Sequence, residues 1–427
     1  MPQSPSSSRA SPARAPSALS FLHAHATHPL PELAVEIVWA QLSAQGVEEM
    51  GPTLGWCYLT DELAHGCEEV MRALRERLPE VSWVGAVGVG VLATGVEYMD
   101  EPALVVMVCN LPPADFRLFH GRRPLPALSL GAPPHGSWRA HTAQVHADAR
   151  SPELTELIGE LAARTDTGYL FGGLSAGRHG SPHLAWTPDA STESESEPTH
   201  NGVWHGGLSG VAFSQGVRLV SRVSQGCTPV GPRRVVTRAE RNVVYELDGR
   251  PALSCLLQDL GMTATIASEG WQRQALPKVR ATLAGVTDAG SDLLEHGRHF
   301  GADTRVRHLI GLDPGRQGVA LADNVEAGMQ LAFCQRHQQA ARQDLVRACA
   351  EVREEFDPDE HPGREAVGAV YISCAGRGGA HFGGLNAEME LVSHALGNLP
   401  IVGFFAGGEV ARHHLYGYTG VLTVFGR

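Results

Sequence analysis

The chain has 427 residues, 43% of them hydrophobic, and a formal charge of -12 from 34 basic and 46 acidic side chains. An acidic surface without a long basic run repels phosphate backbones, which excludes a nucleic-acid partner, and no apolar run reaches the roughly 18 residues of a membrane span. The eight cysteines, at 57, 67, 109, 227, 255, 334, 349 and 374, form no CxxC pair and sit mostly in apolar segments, so a reducing, cytoplasmic setting is expected, with no disulfide, structural zinc or cofactor.

Residues 1–18, rich in Pro, Ser, Ala and Arg and lacking the apolar core of a signal peptide, are expected to form a disordered tail. Apolar residues at helical spacing follow in 30–46, then a short buried strand at 55–60. The segment 61–79 opens with acids and closes with Arg and Pro, as a helix does. "VSWVGAVGVGVL" and 103–111 read as strands on either side of a glycine turn. A helix with a Ser151 cap is expected at 151–165, and 179–202 reads as a polar, acidic, mobile loop between glycine-rich strands. From 217 to 252 apolar and polar residues alternate, with "LDGR" as a hairpin turn, which predicts antiparallel sheet.

Near the C-terminal end the first pattern returns: a helix at 337–356, a strand at 366–374, a helix at 386–397 with Asn386 as its N-cap, and two further strands. "WVGAVGVGVLATGVEYMDEPALVVM" (83–107) aligns without a gap on "IVGFFAGGEVARHHLYGYTGVLTVF" (401–425), so that Gly85 meets Gly403 and Tyr98 meets Tyr416. We infer an internal duplication. The expected fold is α/β, with two related α-β-α-β-β units joined by largely antiparallel mixed sheets and helices packed on the outside.

Four features bear on chemistry. "GVGVLA" (88–93) fits a loose dinucleotide fingerprint but runs into a strand where that chemistry needs a helix, so a turn is expected. "HAHATH" (23–28) has H-x-H spacing but none of the longer zinc signatures, and no metal site is assigned. Cys374 ends a buried strand before "AGRGG", whose amides, with Arg377 as a fork donor, suit a carboxylate or phosphate. Arg377 is also placed to lower the thiol pKa. Glu409 follows two glycines in an apolar strand and needs a cationic partner, either a ligand ammonium or Arg377 or Arg412.

"YISCAGRGGAHFGGLNAEMELV…LPIVGFFAGGEVARHHLYGYTGVLTVF" closely resembles the C-terminal part of the FIST domain (F-box and intracellular signal transduction proteins). "SQGCTPVGP" followed by "NVVYELDGRPAL" is similar to its N-terminal part. The sequence departs from the family at "HFGGLNAE", where an acid is expected before the Asn. The resemblance implies a FIST N-terminal domain at 19–255, a FIST C-terminal domain at 256–427, and a bacterial-type sensory module for a small ligand such as an amino acid. Carried over residue by residue, the implied ligand-binding set is Ser373, Cys374, Gly376, Arg377 and Gly378, then Phe404, Phe405, Gly407, Gly408 and Glu409, then Tyr418. In this reading Arg377 and loop amides hold an anionic end, Glu409 meets a cationic end, and the aromatics wall the site. A downstream signalling protein is an expected partner. The alternatives are a cysteine-dependent enzyme using Cys374 and an adaptor that recruits a protein through the 179–202 loop.

Overall fold

The structure is a computed structural model that describes residues 18–128, 138–178, 180–188, 201–262, 271–289, 294–295, 299–300, 304–397 and 399–427. The expected tail, apart from Ala18, and residues 179 and 189–200 of the expected loop lie outside the described residues.

Three six-stranded sheets surround one core, and each is built to the same plan. In the first unit the central strand Leu54–Thr60 runs parallel to Ser82–Gly88 and antiparallel to Ala103–Cys109, which pairs with the edge strand Phe21–Thr27. The third unit repeats this with Ala366–Cys374, Ile401–Ala406, Thr419–Gly426 and Arg218–Gln225. A second unit, which the sequence reading did not resolve, has the same pattern in Thr142–Asp148, Leu170–Ser175, Leu208–Phe213 and Phe116–Phe119. The mixed α/β class and mostly antiparallel pairing agree with the sequence. The repeat is threefold.

Each unit also lends a hairpin to a neighbour. The first unit's Gly90–Ala93 and Val96–Met99 extend the third unit's sheet. The third unit's Glu409–Arg412 and His414–Tyr416 extend the second's, and the second's His183–Trp186 and Val203–Trp204 extend the first's. The exchange is cyclic, so each sheet is completed by a chain segment from another unit. "GVGVLA" is part of such a hairpin, as expected, and His183–Trp186 is a strand inside the segment read as a loop.

The central strands are buried on both faces, which explains their near-continuous apolar runs. One face meets the shared core. The other is covered by helices, such as Cys67–Arg77, whose Cys67, Val70, Met71 and Leu74 form a single apolar stripe. Inserted in the third unit after Arg218–Gln225 is an antiparallel barrel: Arg234–Glu240, Val243–Leu247, Gly318–Leu321, Arg305–Asp313, Thr282–Thr287 and Gln330–Arg336, the last closing back on the first. Helix Ala252–Asp259 packs into the barrel core and contains the 255/256 boundary drawn from sequence. The "LDGR" turn joins paired strands, as expected.

One expected cap is displaced, and the other holds its place without the side-chain bond expected of it. Ser151 does not cap the helix Leu154–Ala162, whose N-cap is Glu153. Its hydroxyl instead accepts from Gly207 N at 2.7 Å. Asn386 lies at φ 68° and makes no cap bond to helix Ala387–Leu396. Its Oδ1 accepts from Glu97 N at 2.8 Å, and the helix amides of Glu388 and Met389 are taken by Glu97 Oε1 at 3.0 Å each. A carboxylate on the exchanged hairpin thus caps the positive end of a helix in another unit.

Candidate functional site

Cys374 is the last residue of the third central strand, at 9% exposure, and Gly376 and Gly407 beside it are exposed. Glu409 begins the exchanged hairpin that leaves this strand end, and it is fully buried. Its Oε2 accepts from Thr419 N at 3.1 Å and Thr419 Oγ1 at 2.7 Å, and its Oε1 has no hydrogen-bond partner among the described residues. Burial pushes this carboxyl up to about 7, against the bonds from Thr419. Burial pushes the Cys374 thiol up to about 12. The neighbouring Glu409 charge adds to the rise, and the Gly376 and Tyr418 amides oppose it. The expectation that Arg377 would lower this pKa is therefore corrected: the thiol's dominant surroundings are apolar and anionic.

Arg377 faces inward at 1% exposure. Its Nε donates to Glu388 Oε1 at 3.2 Å, its Nη1 to Ser224 O at 2.5 Å and its Nη2 to Ser224 Oγ at 2.8 Å. Glu388 Oε1 also accepts from Tyr371 Oη at 2.6 Å and Ser373 Oγ at 2.9 Å. Ser373 and Cys374, consecutive in a strand, point to opposite faces, so Ser373 joins the Arg377 network and Cys374 faces the mouth. Two loop amides are also spent internally: Ala375 N on Ala406 O and Arg377 N on Cys374 O. The loop is held together as a strut and has little of the anion cradle expected of it.

Phe404 and Phe405 form no wall of an open site. Both are fully buried. Phe404 stacks on Tyr58 in the shared core with ring centroids 5.1 Å apart, and Phe405 lies on the helix-facing side, close under Gly378. Gly407 N donates to Leu174 O, and Gly408 O accepts from Leu174 N, which braces the hairpin crossing against the second unit. Tyr418, half-buried at φ 60°, does stand at the mouth: its hydroxyl is 2.7 Å from His308 Nε2.

Sequence reasoning missed the barrel's contribution. Arg336, exposed at the end of a barrel strand, stacks over the Tyr418 ring at 5.1 Å and donates to Gly376 O. It is a cation at the rim of the site. Nothing in its sequence context marks it, because only the closure of the barrel brings residues 308 and 336 to this loop. Glu388 was visible in the "NAE" of the family pattern, but its pairing with Arg377 was not. Among the described residues no cluster of metal-ligating side chains occurs.

Comparison with known proteins agrees with this picture. Residues 53–250 match the FIST N domain and residues 252–412 the FIST C domain. The chain is similar to "Uncharacterized protein Rv0628c" of Mycobacterium tuberculosis, 30% identical over 398 residues, covering 90% of this chain and 95% of that protein. It is also similar to "Uncharacterized protein Mb0898c" of Mycobacterium bovis, 29% identical over 374 residues, covering 84% of this chain and 86% of the relative.

Proposed function

The chain belongs to the FIST family, whose domains serve sensory signal transduction, and from that premise we propose that it is a sensor for a small polar metabolite carrying an amine, such as an amino acid, bound at the mouth over Cys374. One observation carries this reading. Glu409 is fully buried beside an exposed glycine loop, with Thr419 holding one carboxylate oxygen, the Cys374 thiol against the carboxylate, and Oε1 without a hydrogen-bond partner among the described residues. A buried carboxylate oxygen left in this state costs about 1–3 kcal/mol, and a ligand ammonium would satisfy it.

The ligand's anionic end then meets Arg336 at the rim, because Arg377 is committed to Glu388 and Ser224. Tyr418 lies beside Arg336, and Gly376, Gly378 and Gly407 border the opening with backbone alone. Binding would link the Glu409 hairpin, the third central strand and the barrel, three elements whose relative position a downstream partner could read. A thiol pushed up to about 12 gives little thiolate at neutral pH, so cysteine catalysis has less support.

The test is a thermal-shift screen against the amino acids and small amines with the wild type, Glu409→Gln and Arg336→Ala. A ligand at 100 times its dissociation constant adds about 2.7 kcal/mol. The reading requires a shift that both variants lose. Equal shifts in all three proteins would remove the assigned site.

A further inference from the structure

A cavity of about 510 Å³ opens where the second unit's central strand begins, at the other end of the core from the Cys374 mouth. Its volume lies within the roughly 300–1,000 Å³ of small-molecule sites. It is a seam between units: Thr142 and Tyr169 come from the second unit, and Leu219 and Ser221 from the edge strand of the third.

The threefold repeat explains why only this seam need be open. Cyclic exchange makes three seams equivalent, each pairing the first position of a central strand with the edge strand of the next unit. The pairing registers align Thr142 with Gly368 and Leu54, and Leu219 with Phe21 and Phe116. At the seam of Gly368 and Phe21 the ring fills the gap so closely that a Cβ on Gly368 would lie 2.4 Å from it. Leu54 and Phe116 are both buried in the shared core. Where those seams carry a phenyl ring, this one carries Leu219, and it has hydroxyls in place of the apolar filling. Ser221 Oγ lies 2.9 Å from Thr423 Oγ1, and Tyr169 lines the cavity beside them.

Arg218 lines the cavity, no carboxylate side chain is among its lining residues, and the charges of Arg412 and Arg222 also reach the Tyr169 hydroxyl. Arg222 is already paired with Glu351 and Glu355, which leaves Arg218, exposed at the rim, as the cation open to a ligand. Tyr169 and Leu219, both half-buried, are the apolar lining open to a ligand, whereas Phe171 behind them is buried.

We propose that this seam is a second small-molecule site, taking an organic anion whose carboxylate or phosphate head meets Arg218 and the Tyr169 and Ser221 hydroxyls and whose apolar or aromatic body lies along Tyr169 and Leu219. The site is independent of the sensor reading of the Cys374 mouth.

The experiment is isothermal titration of the full chain with benzoate and with phenyl phosphate, whose relative affinity identifies the preferred head. Saturable binding with a dissociation constant below about 1 mM is expected. Arg218→Glu, a surface change that leaves the core intact, should weaken it at least tenfold. Leu219→Phe, which supplies the ring the related seams have, should abolish it while the circular dichroism stays native. Absence of saturable binding by either probe would overturn the proposal, and so would binding that Arg218→Glu leaves unchanged.

Discussion

Arg377 donates its Nε hydrogen to Glu388 Oε1 at 3.2 Å, with both side chains withdrawn from solvent. The guanidinium comes from the loop after the third central strand and the carboxylate from the helix behind it, so the pair fixes the loop to the helix. Removing one partner of such a buried pair leaves an uncompensated charge, which costs about 3–5 kcal/mol. Arg377→Ala should therefore lower the unfolding free energy read from urea denaturation by that amount with or without ligand. Arg377→Met combined with Glu388→Leu should recover most of the loss. If Arg377→Ala stays within about 0.5 kcal/mol of wild type, the range of an ordinary surface change, the strut is misassigned.

Gly85, Gly172 and Gly403 occupy the same place in the three units. A Cβ there would lie 1.7, 1.9 and 1.7 Å from the carbonyl oxygens of Cys57, Val145 and Tyr371 on the facing central strands. Backbone cannot yield as a flexible side chain can. Each Gly→Ala change should destabilise by about 4 kcal/mol or more, the range reserved for a broken backbone contact. Gly159→Ala, in a half-buried helix position with nothing within 4 Å, should be neutral or slightly stabilising. Chemical denaturation of the four variants checks the ranking.

This glycine triplet also marks what was legible in the sequence. Gly85 and Gly403 align without gaps and disclosed two units, whereas Gly172 sits in "YLFGGLSAGR", whose continuation is interrupted by the long polar stretch before Val203. The hairpin that completes the match is therefore split in sequence. Strands and helices were readable because their apolar runs and stripes follow from burial on one or two faces. Which residues meet at the mouth was not, because Arg336, Tyr418 and Glu409 arrive by barrel closure and by hairpin exchange, neither of which has a local pattern. The Phe404 and Phe405 positions were misread for a related reason: a strand end next to a glycine loop resembles a pocket wall, but both faces of this sheet are covered.

Burial pushes the thiols of Cys67, Cys109, Cys349 and Cys374 up to about 12, and all eight cysteines are buried. The native protein should therefore react with a disulfide reagent at pH 7.5 far more slowly than a free thiol, which has a pKa near 8.5. In denaturant all eight should titrate quickly. A single fast thiol in the native state, lost in Cys374→Ser, would revive the enzyme reading.

Two buried histidines should make the fold sensitive to acid. His146 is pushed down to about 3 and His183 to about 4, by burial first in both cases. His183 Nε2 lies 3.1 Å from Gly206 O and its Nδ1 2.6 Å from Ser209 Oγ, and His146 Nε2 lies 3.2 Å from Tyr58 Oη. Below the ordinary value of 6.5 the unfolded chain binds protons that the folded chain refuses, so stability is full above 6.5 and falls as pH drops toward 4. Each group contributes a slope of about 1.4 kcal/mol per pH unit once well below 6.5. Urea midpoints measured from pH 7.5 to 5 should fall accordingly. A flat profile would mean that these rings ionise in place.

Glu409 has the opposite sign, which separates it from the histidines. Its folded value of about 7 lies above the ordinary 4.5, so between those limits the folded chain holds a proton that the unfolded chain releases. Its contribution to stability is therefore greatest at low pH and is lost as pH rises through about 7, on the order of 3 kcal/mol in all. Glu409→Gln removes this term. The variant should gain on the wild type as pH rises from 5 to 8, and its own acid loss should be steeper, because nothing then offsets the histidines. An amine ligand needs the ionised carboxylate, so its affinity for the wild type should fall up to tenfold per pH unit below about 7, with a proton released on binding at neutral pH. Titration calorimetry in buffers of different ionisation enthalpy measures that proton. Binding that takes up no part of this pH dependence would mean that the ammonium is held elsewhere than at Glu409.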